Sequence, residues 1–423
     1  MYPKFALLLL LLVPHFALYG QETKPKDVRE MAKSGSSAIP RLQPLLKNAD
    51  LNVRLEVVKA LTEIGTQRSL DPLLEATLDS DAEVQMRATD GLINFYLPGY
   101  VRYGVAASIR RAGGNIRSKF SDTNDHVIDP YVQVRPDVIA ALGKLAHGGV
   151  TMDVRANAAR AVGILRGQAA VPDLLEAMRT KDSAVLYESL VALQKIRDKS
   201  VAPKLRYLLR DLDEKVQLAA IETTGLLQNP EALPDLVDAL NRARGQKVRR
   251  AALTAIAMIP DESSRSLYTR YLTDKDEALR AAAAEGFARL KKPADKPMLE
   301  KAYEDEQKTS PRLSVAFALV ALGKTEVSEF SPLQFLVNGL NSKARQGEAQ
   351  AFLIELARDP AVRTLLYPAL TAGTKDEKVR LAQIMARSGD KDSLSALERV
   401  SQDGDSEVAA EGLRALRSLR ARL

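Results

Sequence analysis

A helical seam that recurs at a nearly fixed interval constrains this chain more than any other feature. Residues 154–165 read V-R-A-N-A-A-R-A-V-G-I-L, and stepping 31 residues from Val154 reaches Val185, then Val216. Further steps of 32, 31, 32, 33, 35 and 29 give Val248, Leu279, Pro311, Ala344, Val379 and Val408. Val134, Val84 and Val53 precede them in the same role. A period near 31 means stacked supersecondary units, none of which buries its apolar face alone.

The chemistry at fixed offsets says what each unit is. Seven residues after the anchor stand Ala60, Gly91, Ala141, Ala161, Ala192, Thr223, Ala255, Gly286, Ala318, Ala351, Ala386 and Ala415, eleven of the twelve being Ala or Gly. The next side chain is usually large and apolar, as in Leu61, Leu92, Val162, Leu193 and Phe287. Offsets 0, 4, 7 and 8 share one helix face, and a small residue amid that face admits a closely packed neighbouring helix. Three residues before the anchor come Asp50, Asp81, Asp182, Asp213, Asp276, Asp376 and Asp405, with Thr151 and Asn341 in two more units. Their oxygens suit the orphaned amides of a first helical turn. Pro40, Pro72, Pro172, Pro203, Pro234, Pro297 and Pro332 lie 12 to 14 residues before their anchors, in the first turn of a preceding helix, where a missing N–H costs nothing. Each unit is thus a helix, an Asp-bearing turn and a second helix.

This pattern resembles HEAT repeats, in particular the short HEAT-like kind associated with bilin lyase subunits. The residues that carry the likeness are Pro in the first helix, Asp at the turn, Val-Arg opening the second helix and Ala-Leu-Gly closing it. Pro203, Asp213, Val216 and Gly225 show most of it in one unit, with Gln217 in place of the Arg. The resemblance implies an all-α solenoid of about eleven or twelve helix pairs over residues 38–423. Arginines after the anchor (Arg54, Arg135, Arg155, Arg249, Arg280, Arg312, Arg345 and Arg380) are then expected to reach the turn Asp of a neighbouring repeat, as a structural ladder. Iron-binding hydroxylases built of such repeats need repeated His-Glu pairs. Here His15, His126 and His147 are the whole histidine complement, and no His-Glu pair occurs.

The first 20 residues read as a Sec-type signal peptide: Lys4, an apolar run over residues 6–13, and a small residue, Gly20, before the polar 21–37 segment. A periplasmic or secreted location is therefore expected. Zero Cys removes disulfides, thiolate metal sites and Cys nucleophiles. Loss of residues 1–20 takes away Lys4 and no acid, so net charge falls from +7 to +6, a mild balance that does not call for nucleic acid. No cofactor or metal is expected, and no integral membrane segment.

One stretch escapes the period. Val84 to Val134 is 50 residues, and an insert over 97–132 begins at Leu97-Pro98-Gly99. Its fit to the alternation of helices stays open, because two helices stand where one is expected. From Gly91 to Ser121 there is no acid, while Arg102, Arg110, Arg111, Arg117 and Lys119 are basic. Phe95, Tyr96, Tyr100, Tyr103 and Phe120 are five of the chain's 21 aromatics. Basic and aromatic groups together suit protein hot spots and anionic ligands. The candidate partner-binding set is Tyr100, Arg102, Tyr103, Arg110, Arg111, Arg117 and Lys119; the competing reading is a helix packed by its aromatics. The functional expectation is a non-catalytic, exported scaffold that binds protein through its concave face and this insert. A module for an anionic envelope polymer is the alternative, and an enzyme subunit comes third.

Overall fold

The computed structural model describes residues 23–101 and 126–423; the signal-like segment lies outside them. The described residues are helical and contain no strand. Eleven long second helices form the array: Leu51–Ile64, Ala82–Tyr96, Met152–Ile164, Ser183–Ile196, Glu214–Leu226, Gln246–Met258, Glu277–Leu290, Thr309–Ala321, Gln346–Leu356, Lys375–Ser388 and Ser406–Arg422. First helices precede them, several opening as a 3-10 turn that hands over to α-helix beside the proline, as at Val171–Ala177 and Leu233–Arg242. Ahead of the array, the polar N-terminal segment holds a helix, Pro25–Ala32, whose Val28 is buried against Leu51–Ile64.

The insert does not break the alternation. Pro136–Gly148 packs on Met152–Ile164 as the first helix of its pair, and Ala82–Tyr96 stacks directly on Met152–Ile164. Val134 is therefore not an anchor, and Ala141 is only half-buried. Two other anchors are displaced. Ala344 and Ala351 are exposed, and Val379 and Ala386 are half-buried. In the tenth pair the anchor position belongs to Glu377, buried and hydrogen-bonded by Asn341 Nδ2 at 2.7 Å and the Thr374 amide at 2.9 Å. A search for apolar residues cannot see a glutamate in that place. Asp376 and Asn341 are accordingly not caps: Thr374 caps Lys375–Ser388, and Arg345 precedes Gln346–Leu356 without a side-chain cap.

The other caps stand as expected. Asp50, Asp81, Asp182, Asp213, Asp276, Asp405 and Thr151 all accept first-turn amides. The turn carries a second acceptor two residues earlier. Asp79, Asp211, Asp274 and Asp403 take the amide of the capping Asp at 2.8, 2.8, 2.8 and 3.0 Å. This earlier acid is where the ladder lands. Arg54 donates to Asp79 at 2.8 and 3.2 Å, and Arg280 to Glu306 at 2.7 and 3.1 Å. Lys378 reaches Asp403 at 2.8 Å. Arg155 instead donates to the Gly149 carbonyl, and Arg312 stacks over Tyr303 and Phe335. The ladder is thus real in part, and it ends on the acid before the cap.

Close approach of second helices explains the small-residue seam. Ala60, Ala161, Ala192, Ala255, Ala318 and Ala415 are buried. A Cβ added at Gly163 would stand 2.7 Å from Ala192 Cα, and one at Gly225 would stand 2.7 Å from Ala255 Cα. Backbone meets backbone there, below any distance a side chain tolerates.

Candidate functional site at the inner ends of the second helices

Six of the eleven second helices are followed by a left-handed residue that turns the chain toward the next pair. Fifteen residues after the cap stand Gly65, Arg166, Arg197, Gln228, Lys291 and Gly323, with φ of 56°, 50°, 66°, 55°, 51° and 87°. Glycine takes this conformation freely, whereas a residue with a Cβ does so at a cost of about 1 kcal/mol or more. Both outer positions are glycine. The four between them carry long cationic or amide side chains, two of them arginine in successive repeats.

The array bends far enough to bring its last helix back to the segment before the third pair. Arg289 bypasses one repeat to donate to Glu355 at 2.9–3.2 Å, and Phe317 stacks on Phe352 with ring centroids 4.7 Å apart. Further round, the last helix returns to the insert. The Ile128 amide donates to the Ile164 carbonyl at 3.0 Å, which fixes Asp129 at the carboxyl end of Met152–Ile164. Arg414 donates to both Asp129 oxygens at 2.7–3.2 Å, across 285 residues of sequence. Burial raises the Asp129 carboxyl's pKa, yet the Arg414 and Tyr131 hydrogen bonds prevail and leave it below its usual value. The same helix reaches back through Arg422 to the Ala386 and Gly389 carbonyls. Ser406–Arg422 therefore bridges the end of Met152–Ile164 and the end of Lys375–Ser388.

Four arginines stand at these helix ends: Arg166 and Arg197 follow the third and fourth second helices, Arg358 and Arg387 close the ninth and tenth, and the last helix touches the chain beside Arg166 and beside Arg387. All four are exposed, and no ion pair holds any of them among the described residues. Burial lowers the Arg166 pKa, with repulsion from Arg387 adding to it and Asp129 opposing it. Arg197 is lowered by burial and then by Arg358, Arg387 and Arg166. Several other guanidiniums are matched by carboxylates, among them Arg54 by Asp79, Arg160 by Glu188 and Arg265 by Asp295. This cluster offers guanidinium forks to a carboxylate or phosphate supplied from outside. The sequence reading missed these four. The signal was there, in the non-glycine residue at the closing position of successive repeats.

Of the residues picked from sequence, Tyr100 lies within the described region, and it faces inward. Its hydroxyl meets the Arg160 guanidinium, and burial pushes its pKa above the usual phenol range. Arg160 in turn donates to Glu188 at 3.2 and 3.3 Å, both side chains being buried. Asn157 Nδ2 donates to Asp90 nearby at 3.1 Å. Tyr100 is thus a packing anchor at the start of the insert. Tyr96, part of the same aromatic group, accepts the Arg135 amide at 3.1 Å and ties the two flanks of the insert together. Arg102, Tyr103, Arg110, Arg111, Arg117 and Lys119 lie outside the described residues. Among the described residues no three His, Cys, Asp or Glu side chains form a metal-binding group, and no helix is long and apolar enough to cross a membrane.

A family model described as HEAT repeats matches residues 27–93, 139–211, 189–257 and 243–320. Among curated proteins, the chain is 25% identical to deoxyhypusine hydroxylase-B of Oryza sativa subsp. japonica over 241 residues, 54% of this chain and 74% of that protein. Solved structures of similar fold include the complex of CpcE and CpcF of phycocyanin lyase from Nostoc sp. PCC7120. That match is 17% identical with a TM-score of 0.31, covering 81% of this chain and 99% of that one. Importin beta is 14% identical with a TM-score of 0.38, over 94% of this chain and 65% of that one. The rice relative corrects one expectation. It is an enzyme, so the reading of this chain as non-catalytic, drawn from its missing catalytic constellations, does not stand. The matched segments span more than half of the sequence, and the chain belongs to the HEAT-repeat family.

Proposed function

We propose that this chain is an exported scaffold that binds a protein partner through its inner face, with the basic and aromatic insert at the rim. The observation that carries this reading is where the insert is rooted. Tyr100 packs against Arg160 and Ile128 bonds to Ile164, so both flanks meet one helix, Met152–Ile164, beside Arg166. The two described flanks of the insert then lie on one helix, next to Arg166. Curved HEAT arrays present binding surfaces without an apolar groove, and exposed charge there sets partner choice more than it sets stability.

The decisive experiment replaces Arg110, Arg111 and Arg117 with Gln and measures partner capture by cross-linking from the native envelope at physiological salt. Capture should fall while the melting temperature stays unchanged. Full capture by the triple variant would sink the role of the insert. Capture of polysaccharide or another anionic polymer in place of protein would replace the partner class with the envelope polymer. Export has its own test, in which N-terminal sequencing of the mature protein should begin at Gln21, and an intact Met1 would overturn the signal-peptide reading.

A further inference from the structure

Arg166, Arg197, Arg358 and Arg387 are exposed, and no carboxylate pairs with any of them among the described residues. A cation near a helix carboxyl end is favourable, because it meets the negative end of the helix dipole. That benefit is available from any residue of the last turn, in ordinary helical backbone. Arg166 and Arg197 instead occupy left-handed positions, at φ 50° and 66°, where the first repeat uses Gly65, the eighth Gly323, and two others Gln228 and Lys291. The fold accepts that strain while also placing like charges face to face. Strain that persists without a stabilising contact is a mark of function.

We propose that Arg166, Arg197, Arg358 and Arg387 are a receptor for an acidic peptide segment of the protein partner, bound across the inner opening. The inference rests on the scaffold reading above and names the chemistry that the inner face selects. Successive repeats stand roughly 9–10 Å apart, the usual interval between packed helices. A peptide in the polyproline II conformation rises about 3.1 Å per residue with three residues per turn, so carboxylates three residues apart share a face and meet successive repeats in register. Each guanidinium presents a planar fork that takes a carboxylate through two parallel hydrogen bonds. Arg166 and Arg197 line one side of the segment, and Arg358 and Arg387 the other. Bound carboxylates relieve the mutual repulsion of the four cations. Asp129, the acid nearest Arg166, is already engaged by Arg414 and leaves the cluster to the incoming ligand.

The test uses the full mature chain and a fluorescein-labelled twelve-residue peptide with Glu at every third position, separated by Gly and Ser. Anisotropy titrations should show saturable binding that weakens as salt rises. Two double variants, Arg166→Gly with Arg197→Gly and Arg358→Gln with Arg387→Gln, should each weaken it about tenfold or more. The glycine pair should melt at the same temperature as the parent or higher, because it removes a backbone strain. Unchanged peptide affinity in both variants would overturn the receptor. Binding of polyphosphate that the peptide fails to displace would overturn the peptide class. A peptide that does not bind, alongside a native partner still lost on Arg110, Arg111 and Arg117 replacement, removes this inference and leaves the scaffold reading in place.

Discussion

At the scale of single residues, the array depends on side chains that are missing. Gly163 lies against Ala192 and Gly225 against Ala255, with no space for another carbon. Gly225→Ala should destabilise the protein by roughly 1–3 kcal/mol, as should Ala161→Leu, because each forces second helices apart. Thermal or urea denaturation measures this, and a Gly225→Ala protein as stable as the parent would refute the close stacking. Gly286 tells a related story with a different neighbour. A Cβ there would fall 2.5 Å from the Tyr268 ring, which is fully buried and donates its hydroxyl to the Ile256 carbonyl at 3.1 Å. Burial pushes that hydroxyl's pKa up to about 12. The first helix of that pair has traded small apolar residues for a tyrosine, and the second helix makes room with a glycine.

At the scale of helices, the turn between the two members of a pair is a small acid relay. In the fifth pair, Asp211 holds the amide of Asp213, and Asp213 holds the amides of Lys215 and Val216 at 2.9 and 3.3 Å. Asp213→Ala should cost about 0.5–2 kcal/mol, the usual range for a lost N-cap. Its carboxyl pKa is lowered, first by the Ser183 hydroxyl. A carboxyl with a folded pKa below its unfolded value stabilises at pH above that unfolded value, near ~3.9, and loses the effect as pH falls further. The difference in melting temperature between Asp213→Ala and parent should therefore be constant from pH 7 to about pH 5 and shrink below about pH 4. A difference that shrinks already near pH 6 would assign the effect to another group.

At the scale of the whole molecule, repeat proteins draw most of their stability from neighbouring units. This one adds two contacts that skip the sequence, Arg289 with Glu355 and Arg414 with Asp129. Exposed ion pairs contribute little, about 0.2–1 kcal/mol, so Arg414→Gln should leave the melting temperature almost unchanged. Its effect belongs to shape. Small-angle scattering should report a larger radius of gyration for Arg414→Gln, and for the parent only at pH below the ordinary aspartate value of ~3.9, since the depressed Asp129 carboxyl keeps its charge further into acid. An identical scattering profile would show that stacking alone sets the curvature. Truncation after Leu290 should leave a folded N-terminal array with its share of helical circular dichroism. Loss of helix well beyond the deleted part would mean that the closing contacts hold up the whole.

Local chemistry is what this sequence determined by itself. The period, the caps at Asp50, Asp81, Asp182, Asp213, Asp276 and Asp405, and the alanines of the seam follow from interactions within one pair or between adjacent pairs. Such interactions recur and leave a pattern. Where a buried Glu377 replaced the apolar anchor, the pattern failed, since burial of a hydrogen-bonded acid looks in sequence like surface. Pro136–Gly148 was misplaced for a similar reason: its long first helix mimics a second one, and only its packing on Met152–Ile164 reveals the pair. The basic insert was legible as composition, while Tyr100's inward turn was not. The four inner arginines were assembled by curvature alone. Small rotations between repeats accumulate until Ser406–Arg422 meets Asp129, and no single residue encodes that sum.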